Sequence, residues 1–543
     1  MKKLVFLLFI VMFLISCGYN DNVKVAFESP VLPVLTGKEY NPVQKIHFTR
    51  DSINEGEEYL VEKIVFSLEG TTDINDIEEI TLFKAGENEK FVTNQPVGAV
   101  RSGAKQVTFE EPFPVTEDTL TLWVAIRLKE EVDLTHRVAV TCKEVVTDAG
   151  RLRLPAEEVT PLRVGVAVRQ HKQDGVHTSR IPGLATSKEG TLMAIYDARY
   201  NSGRDLQGHM DIAMNRSVDG GHTWEPMQIV LDMGEWGGMP ENYNGISDAC
   251  ILVDDNTGDI YVAGLWMYGV LDSETGKWVD GLTEDSTRWI HQWHKMGSQP
   301  GFDVKQTSQF LISKSTDDGL TWSEPVNITR AKKEEWWLYA PAPGQGITLS
   351  NGTLVFPTQG RDETGMPFSN ITWSQDGGET WVASNPAQKN TTECAVVELS
   401  NGDLMLNMRD NRNRGNEEVN GRSIFTTGDM GETWVEHPTS REVLIEPTCM
   451  ASLHKHEYIE NGEEKSMLLF VNPASTSKRN NITLKVSYDD GNTWPQEKHI
   501  LLDEYSGRGY SCITTVDEST IGILYESSQA DLVFQTVSLD EAR

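Results

Sequence analysis

The octapeptide SVDGGHTW, residues 217–224, decides the fold because the chain repeats it at four later positions. The copies are STDDGLTW from Ser315, SQDGGETW from Ser374, TGDMGETW from Thr427 and SYDDGNTW from Ser487. The steps between successive aspartates are 98, 59, 53 and 60 residues, counted over Asp219, Asp317, Asp376, Asp429 and Asp489. Three of the four steps fit one period, and a step of that length accommodates a four-stranded sheet with its loops. Radial repetition of such sheets predicts a β-propeller, which leaves only short, protected strand edges.

Each shared residue of the octapeptide has a structural task. The aspartate can accept hydrogen bonds from backbone N–H groups of its own turn. The second glycine can take a positive φ, where a side chain would clash, and the tryptophan can anchor the next strand in the core. Five aspartates in one kind of environment would be five catalysts with nothing to distinguish them. We therefore interpret the octapeptides as structural hairpins and look for the chemistry elsewhere.

The rest of the chain also has the pattern of an all-β protein. Residues 120–128, LTLWVAIRL, alternate strictly, which is the period of a half-buried strand. Residues 24–160 lack the octapeptide, so we expect them to form a separate, smaller β-sandwich-like domain ahead of a propeller at 165–543. The long first step between octapeptides is expected to hold one blade and a tryptophan-rich insertion around Trp266 to Trp293.

The N-terminus has the pattern of an export signal. Lys2 and Lys3 precede an apolar run from Leu4 to Ile15 that is too short to span a membrane comfortably. The following Ser16-Cys17 completes a stretch that resembles the lipobox of bacterial lipoproteins. Residues 1–17 are therefore expected to be a lipoprotein-type signal peptide with Cys17 as the lipidated residue. The alternative is an ordinary secretory signal that happens to contain a cysteine.

These features predict an exported bacterial protein, either an outer-membrane lipoprotein or periplasmic. Contact with the membrane is expected only through the lipid anchor, since no later apolar run is long enough to span a bilayer. The net charge of −33 argues against nucleic acid or an anionic membrane surface as the partner. An anionic ligand would need a local cluster of arginines. The five cysteines after Cys17 show no CxxC spacing and are expected to be buried thiols.

The octapeptide S-x-D-x-G-x-T-W resembles the Asp box of sialidases (neuraminidases). The flanking motifs resemble the bacterial exo-sialidase family along essentially all of residues 165–543. This resemblance implies a six-bladed catalytic propeller, although only five boxes are present and the fourth begins with Thr427 instead of serine. Degenerate blades would explain the missing sixth box. Residues 24–160 are similar to the domain that precedes the propeller in some bacterial sialidases.

The resemblance implies a carboxylate-binding trio of arginines. Arg180 stands in an Arg-Ile-Pro motif, Arg409 in LNMRDNR, and Arg479 in SKRNNITLKVSYDDG. A planar guanidinium can bind a carboxylate through two parallel hydrogen bonds, so three of them would form an anion site. The alternative for any one of them is ordinary surface charge.

The resemblance also implies three catalytic residues: Tyr510 in GRGYSCI as nucleophile, Glu393 in TTECAVVELSNG as its base, and Asp205 in YDARYNSGRDL as general acid/base. The anomeric carbon of sialic acid bears a carboxylate, so a charged nucleophile would approach against like charge. A phenol, whose ordinary pKa is about 10, arrives neutral and can pass its proton to a paired glutamate. Sialidases are the tyrosine-nucleophile exception among glycosidases.

Further contacts are carried over more loosely from the resemblance. Arg199 and Asp248 are expected near O4 of the sugar, Trp266 with Met267 at the acetamido group, and Gln345 at the glycerol tail. Ordinary propeller packing is the alternative for each.

The predicted function is exo-α-sialidase, which removes terminal sialic acids from sialylated glycans or glycoproteins with retention through a tyrosyl-enzyme intermediate. No metal and no cofactor are required by this scheme. The alternatives are a trans-sialidase, including an intramolecular one, and a non-catalytic sialoglycan-binding propeller. The sequence leaves the oligomeric state and linkage preference open.

Overall fold

The protein is described by a computed structural model that covers residues 23–50, 59–148, 150–154, 159–206, 208–236, 241, 244–268, 298–416 and 420–543. Two compact units follow one another along the chain. The first ends at Val164 and the second begins at Gly165. Each is built almost entirely of antiparallel strands.

The first unit contains two sheets, as expected for a β-sandwich-like domain. One sheet has the order β1-β3-β9-β5-β6, with β1 (Val23–Glu28), β3 (Asn41–Arg50), β5 (Ile77–Lys84), β6 (Pro96–Arg101) and β9 (Thr119–Leu128). The other has the order β12-β11-β4-β7, with β8 also paired to β4; these strands are β4 (Tyr59–Ser67), β7 (Gln106–Phe109), β8 (Phe113–Val115), β11 (Thr141–Thr147) and β12 (Gly150–Arg153). Two short strands complete this unit, β2 (Val34–Thr36) and β10 (Arg137–Val138), together with 3-10 turns at Ile74–Asp76 and Glu87–Glu89.

Strand β9 is more deeply buried than its alternation predicts. Leu122 and Ile126 on one face are fully buried, and so are Trp123 and Ala125 on the other. The second face is covered because the Trp123 indole donates a hydrogen bond to the Glu89 carbonyl and packs under neighbouring side chains. The period identified the strand, but only the fold shows that both of its faces are buried.

The described residues of the second unit form a propeller of six blades. Blade 1 is β14 (Thr178–Thr186), β15 (Leu192–Arg199), β16 (Met210–Ser217) and β17 (Gln228–Leu231). Blade 2 is β18 (Asn244–Val253), β19 (Ile260–Tyr268), β20 (Gln309–Ser315) and β21 (Val326–Asn327). Blade 3 is β22 (Leu338–Pro341), β24 (Ile347–Thr348), β25 (Leu354–Arg361), β26 (Pro367–Ser374), β27 (Val382–Ala383) and β28 (Gln388–Lys389), with β23 (Gly344–Gln345) pairing across to β18.

The remaining blades follow the same plan. Blade 4 is β29 (Thr391–Glu398), β30 (Leu404–Asp410), β31 (Ser423–Thr427) and β32 (Val435–Glu436). Blade 5 is β33 (Ser452–Glu460), β34 (Glu463–Pro473), β35 (Ile482–Ser487) and β36 (Ile500–Asp503). Blade 6 is β37 (Ser511–Asp517), β38 (Thr520–Tyr525), β39 (Leu532–Ser538) and β13 (Leu162–Arg169). The helical segments here are the short helix α1 (Leu539–Ala542) and 3-10 turns at Gln173–Gly175, Thr329–Ala331, Asn411–Asn413 and Gln496–Lys498.

Blade 6 explains why the sequence contains only five boxes. In the other blades a box joins the third strand to the fourth, as Ser217 ends β16 before β17 begins. In blade 6 the third strand is β39 and the fourth is β13, which comes from the opposite end of the propeller chain. No loop joins these two strands, so no box can stand between them. The expectation of a degenerate blade was wrong, since the sixth blade is the closure of the ring.

The boxes have the internal geometry that the sequence predicts. Asp219 accepts hydrogen bonds from the Ser217 hydroxyl and from both the N–H and the hydroxyl of Thr223. The glycine two residues after the aspartate has a positive φ, 94° at Gly221 and 81° at Gly491. The tryptophans are half-buried in four boxes and buried in the fifth, at Trp494.

The boxes lie at the end of the blades opposite the predicted site residues. Arg180 lies near the start of a first strand, β14, and Arg199 ends a second strand, β15. Because strands within a blade are antiparallel, these positions share one end of the blade, while the end of a third strand lies at the other. The boxes therefore lie away from the predicted site residues.

Two N-terminal predictions concern residues outside those that the structure describes, namely the signal peptide and Cys17. Among the described residues, no helix has the length and apolarity to cross a membrane. The five later cysteines are buried free thiols, as predicted: Cys142, Cys250, Cys394, Cys449 and Cys512.

Candidate active site

A cavity of about 610 Å³ lies at the end of the propeller where the first strands begin. Side chains from all six blades line it. They are Arg180, Ile181, Asp205, Asp248, Gln359, Arg361, Thr392, Glu393, Arg409, Arg414, Arg479 and Tyr510. Most of the predicted site residues therefore meet here, although they are scattered along more than three hundred positions of sequence.

The three predicted arginines surround Tyr510. Nη1 of Arg409 donates a hydrogen bond of 3.1 Å to the Tyr510 hydroxyl. The guanidinium carbons of Arg180 and Arg479 lie 5.3 Å and 5.4 Å from the centroid of the Tyr510 ring. Blades 1, 4 and 5 thus place three cations around one phenol, an arrangement that can hold an anion against its hydroxyl.

Tyr510 and Glu393 form the pair that the sequence predicts. The Tyr510 hydroxyl donates a short hydrogen bond to Oε1 of Glu393, whose other oxygen accepts a bond of 2.5 Å from Arg409. Burial opposes ionisation of Glu393, but Arg409 and the bond from Tyr510 hold the pKa of this carboxyl below its usual value. Burial, and then the charge of Glu393, raise the pKa of Tyr510. At neutral pH the pair is therefore a neutral phenol beside a carboxylate.

Glu526 is a site residue that the sequence analysis missed. It is fully buried and binds the Arg180 guanidinium through both oxygens, at 2.7 Å and 3.1 Å. Its oxygens also accept the backbone N–H groups of Ile181 and Tyr510, both at 3.0 Å. One carboxylate thereby positions an arginine of the trio and the backbone of the tyrosine. The sequence signal that could have identified Glu526 is its position directly after the apolar strand β38, since an acid buried there needs partners.

Ile181 is strained, and Glu526 helps to hold it. Its φ is 60°, a conformation that β-branched residues rarely adopt. It lies within the bulge between Arg180 and Gly183 where β14 shifts register against β15. Such outliers cluster at ligand sites, where the surrounding contacts compensate for the strain.

Asp205 lies in the cavity wall and is held from behind. Its side chain is about half exposed, and its Oδ1 accepts a bond of 2.9 Å from Arg199. Arg199 is itself only 1% exposed and also binds Asp197, which was not predicted. Burial raises the pKa of Asp197 to about 6. Arg199 is therefore placed behind Asp205 and does not line the cavity, in contrast to its predicted contact with the sugar.

Asp248 lines the cavity. It has a φ of 58°, and its Oδ2 accepts a bond of 2.8 Å from Nε2 of Gln359. Burial, and then the charges of Asp205 and Glu393, raise the pKa of Asp248. A carboxyl that keeps its proton can donate a hydrogen bond to a hydroxyl.

The prediction for Trp266 was wrong. Trp266 is fully buried in the core between blades 1 and 2, against Trp236 and Tyr268, and does not reach the cavity. It belongs to strand β19 and not to an insertion; residues 269–297, which include Trp293, lie outside the described residues. Met267 packs beside Leu206 beneath the Asp205 loop and is also fully buried.

The prediction for Gln345 was also wrong. Gln345 lines a different cavity, of about 360 Å³, among the residues at the ends of the first strands. Its Nε2 donates a hydrogen bond of 2.9 Å to Nδ1 of His454. Gln359, which the sequence analysis did not select, is the glutamine in the wall of the Tyr510 cavity.

One group of described residues could hold a metal ion. Ligand atoms of His209, Asp211 and Asp232 lie within 4.8 Å of one another. Arg199 and Tyr510 do not belong to this group. None of its three residues lines the Tyr510 cavity.

Comparisons with known proteins agree with this fold. A family model described as "BNR repeat-like domain" matches residues 181–518, and one described as "N-terminal domain of BNR-repeat neuraminidase" matches residues 21–151. A sialidase of Bacteroides fragilis is 43% identical over 422 residues, which are 77% of this chain and 73% of that protein. A sialidase of Micromonospora viridifaciens is 30% identical over 65% of this chain and 50% of its own length. The solved structure of the Hadza microbial sialidase Hz136 superposes with a TM-score of 0.83 at 36% identity and covers 95% of this chain and 99% of that one.

Proposed function

Because the chain belongs to the sialidase (neuraminidase) family with BNR repeats, we propose that it is an exo-α-sialidase that hydrolyses terminal α-linked sialic acids with retention, through a covalent bond to Tyr510. Its substrates are sialylated glycans and glycoproteins. The observation that carries the proposal is the hydrogen bond from Tyr510 to Glu393 inside the ring of three arginines.

The charges of the site suit attack on a carbon that bears a carboxylate. Arg180, Arg409 and Arg479 bind that carboxylate, which brings the anomeric carbon to the Tyr510 oxygen. The phenol approaches without a charge and transfers its proton to Glu393 as the new carbon–oxygen bond forms. Arg409, already bonded to the hydroxyl, stabilises the negative charge that develops on the oxygen.

Asp205 serves both halves of the reaction. It donates a proton to the glycosidic oxygen as the bond to the leaving glycan breaks, and then removes a proton from the water that attacks the intermediate. The Tyr510 oxygen departs and recovers its proton from Glu393, so the enzyme returns to its starting state.

The pairing of Tyr510 with Glu393 favours an enzyme over a binding protein. A propeller that only binds sialoglycans needs the arginines but no base bonded to the tyrosine. Hydrolysis is proposed over transfer because the half-exposed Asp205 carboxyl lets solvent water reach the group that activates it.

The test is the configuration of the first product, followed by nuclear magnetic resonance during cleavage of an α-sialoside. We expect the α-anomer of free sialic acid to be released first. Release of the β-anomer first would overturn the covalent scheme, and release of an anhydro sugar or a transferred sialoside would overturn hydrolysis. In parallel, a fluorinated sialosyl fluoride should label the intact protein but not its Tyr510→Phe variant.

We also propose that the protein is exported and anchored through a lipid on Cys17, either in the outer membrane or facing the periplasm. The support is the stretch from Lys2 to Gly18, with its basic start, apolar run and lipobox. Metabolic labelling with a fatty acid should mark the wild type and not Cys17→Ala. Equal labelling of both would contradict the anchor.

A further inference from the structure

Asp197 is a buried acid directly behind Asp205, the general acid/base of the proposed reaction. It lies in β15 and is fully buried. Its Oδ2 accepts hydrogen bonds of 3.2 Å and 2.8 Å from Nε and Nη2 of Arg199, and one of 2.7 Å from the Ser247 hydroxyl in β18. Its Oδ1 has no hydrogen-bonding partner among the described residues. The side chain of Asp197 is therefore held through a single oxygen.

The Arg199 guanidinium lies between two aspartates and is bonded to both. Its Nη2 donates hydrogen bonds of 2.8 Å to Asp197 and 2.9 Å to Oδ1 of Asp205. Its Nη1 donates one of 3.2 Å to the carbonyl of Gly203, two residues before Asp205 in the same loop. Arg199 thus connects a fixed acid in the blade with the loop that carries the half-exposed one. The orientation of Asp205 depends on Arg199, and that of Arg199 depends on Asp197.

Asp197 occupies a strand position that other blades use for the cavity. It stands five residues after Leu192, which pairs with the first residue of the box in blade 1. By the same count the position is Gln359 in blade 3 and Arg409 in blade 4, and both of these line the cavity. Asp197 itself does not line it. Blade 1 therefore places its polar residue at this position behind the cavity wall, where it can contact a wall residue but not a ligand.

Charged groups surround Asp197 and Arg199 on the neighbouring elements. They are Arg180, paired in register with Asp197 on β14, Asp248 on β18, and Arg508 in the loop before β37, while β16 contributes the apolar Ile212. The charge of Arg180 is bound by the buried Glu526. Arg199 is therefore the cation that the Asp197 carboxylate contacts directly.

This pair of Asp197 and Arg199 is ionised at neutral pH. Burial raises the pKa of Asp197 to about 6, so most of it is a carboxylate at pH 7. Burial opposes the charge of Arg199, but the carboxylates of Asp205 and Asp197 raise its pKa. One guanidinium charge is therefore opposed by one buried carboxylate, and the pair has no net charge beside Asp205.

The proposed reaction requires Asp205 to hold its proton until the glycosidic bond breaks. A guanidinium in contact with a carboxyl favours the ionised form, so the charge of Arg199 alone would promote loss of this proton. The carboxylate of Asp197, on the other side of the same guanidinium, offsets that charge. We infer that Asp197, supported by Ser247, is a positioning residue for the general acid, which orients Arg199 and balances its charge. The inference rests on the proposed function, because it needs Asp205 as the general acid.

A role in proton transfer differs from a merely structural role in its dependence on the leaving group. A sugar alkoxide is a strong base and departs only as it receives a proton, whereas a nitrophenolate is a weak base and departs without one. Damage to the general acid therefore slows cleavage of an oligosaccharide far more than cleavage of a nitrophenyl sialoside. Damage to the fold reduces the number of active molecules and slows both reactions equally.

The test measures kcat and KM for sialyllactose and for a nitrophenyl α-sialoside with the wild type, Asp197→Asn and Ser247→Ala. Asp197→Asn keeps the size of the side chain but removes its charge, and Ser247→Ala removes one hydrogen bond and leaves the ion pair. Asp254→Asn is the matched control, since Asp254 is also a buried aspartate but follows β18 at the end away from the cavity and accepts a bond from the Asn256 N–H. Thermal unfolding establishes which variants are folded at the assay temperature.

We expect Asp197→Asn to lower kcat/KM for sialyllactose about tenfold or more relative to that for the nitrophenyl sialoside, mainly through kcat. Ser247→Ala should lower the same ratio about two- to tenfold, as for loss of one hydrogen bond. The control should keep the wild-type ratio even if its Tm falls. In Asp197→Asn the alkaline limb of the pH profile of kcat/KM for sialyllactose should also move to lower pH, because an unbalanced Arg199 promotes loss of the Asp205 proton.

A wild-type ratio in folded Asp197→Asn overturns the inference, and so does an alkaline limb that stays in place. If Asp197→Asn does not fold, Ser247→Ala decides: a ratio below that of the wild type supports the inference, and an unchanged ratio overturns it. A wild-type protein that releases sialic acid from neither sialoside overturns the proposed function instead, so the two failures are distinguishable.

Discussion

The hydroxyl of Tyr510 donates a hydrogen bond to Glu393 although the two residues are 117 positions apart and belong to blades 6 and 4. This contact exists only when the blades form a ring, and the ring is closed by pairing of β13 with β39. The nucleophile and its base are therefore assembled by ring closure. Damage to β13, none of whose residues lines the cavity, should remove the activity by separating them.

Replacing Tyr510 with phenylalanine should abolish turnover while leaving the arginine trio intact. The ring stays in place between Arg180 and Arg479, but no oxygen remains to attack the anomeric carbon. We expect kcat to fall on the order of a thousandfold or more, with the affinity for sialic acid changed less than about fivefold. Release of a fluorogenic aglycone and calorimetry with sialic acid measure the two quantities. Equal losses in both would count against Tyr510 as nucleophile.

Carboxylate recognition is tested most cleanly at Arg479. Arg409 also binds Glu393, so its removal would leave a buried acid without its partner, whereas Arg479 donates to the backbone carbonyl of Arg508. Arg479→Ala should weaken binding of sialic acid by about 10- to 100-fold, as for loss of charged hydrogen bonds. Its effect on the sialic acid methyl ester should be much smaller, because the ester carries no charge. Similar losses for acid and ester would contradict a carboxylate site.

Glu526 should affect both stability and catalysis. It is buried with Arg180, and breaking a buried ion pair typically costs about 3–5 kcal/mol because a charge is left unpaired. Glu526→Ala is therefore expected to lower Tm strongly. Glu526→Gln, which keeps the size and part of the hydrogen bonding to Ile181 and Tyr510, should lower Tm less and raise KM more than it lowers kcat, because it loosens Arg180. A Glu526→Gln variant with wild-type KM would show that Glu526 does not position the substrate site.

The sequence predicts the repeated parts of this protein better than the parts that meet only in space. The spacing of the boxes predicted the blade architecture. The motifs around Arg180, Arg409 and Tyr510 predicted that these three residues share one cavity. Glu526 could not be paired with Arg180 from sequence because β38 and β14 become neighbours only through ring closure. Only the strand register shows that Arg361 occupies the same position in β25 as Arg199 does in β15, seven residues after the residue that pairs with the first residue of the box.

The wrong predictions have a common physical cause. Trp266 and Gln345 were carried over loosely from the family resemblance, which does not show at which depth or end of a blade they lie. Trp266 occupies a strand whose two faces are buried between blades. Gln345 is in a short strand that pairs with β18 beyond the bulge at Asp248, and it lines the other cavity.

That other cavity contains a directed chain of hydrogen bonds. Nε2 of Gln345 donates to Nδ1 of His454, so the Nε2–H of His454 must donate to the hydroxyl oxygen of Thr515. Thr515 then donates its own proton to Nδ1 of His456, whose Nε2–H faces the carbonyl of Glu518. Each histidine is neutral and has a single tautomer, and the chain links blades 3, 5 and 6.

This chain of hydrogen bonds should make the free energy of unfolding depend on pH. Burial lowers the pKa of His456, and it lowers that of His454 to about 3, against an ordinary value of 6.5. The unfolded chain therefore binds protons that the folded one does not, so the stability from the neutral histidines is complete above pH 6.5 and is lost as the pH falls below it. The difference in Tm between wild type and His456→Phe should shrink from pH 7.5 to pH 5, because the unfolded chain binds this proton more readily than the folded protein. A difference that is constant with pH would show that His456 has the same pKa in the folded protein as in the unfolded chain.

The structural role of the boxes predicts a separation of stability from activity. Asp376 accepts bonds from the Ser374 hydroxyl and from the N–H and hydroxyl of Thr380, which lower its pKa to about 2. Its stabilising effect is therefore present above the ordinary value of 3.8 and is lost as the pH falls through about 2. Asp376→Asn should lower Tm at pH 7, while kcat measured well below the unfolding temperature stays within about twofold of wild type, because the box lies at the end of blade 3 away from Tyr510. Glu379→Gln, in the same box and exposed, is the matched control and should change neither. A large fall in kcat for folded Asp376→Asn would mean that the boxes take part in the chemistry after all.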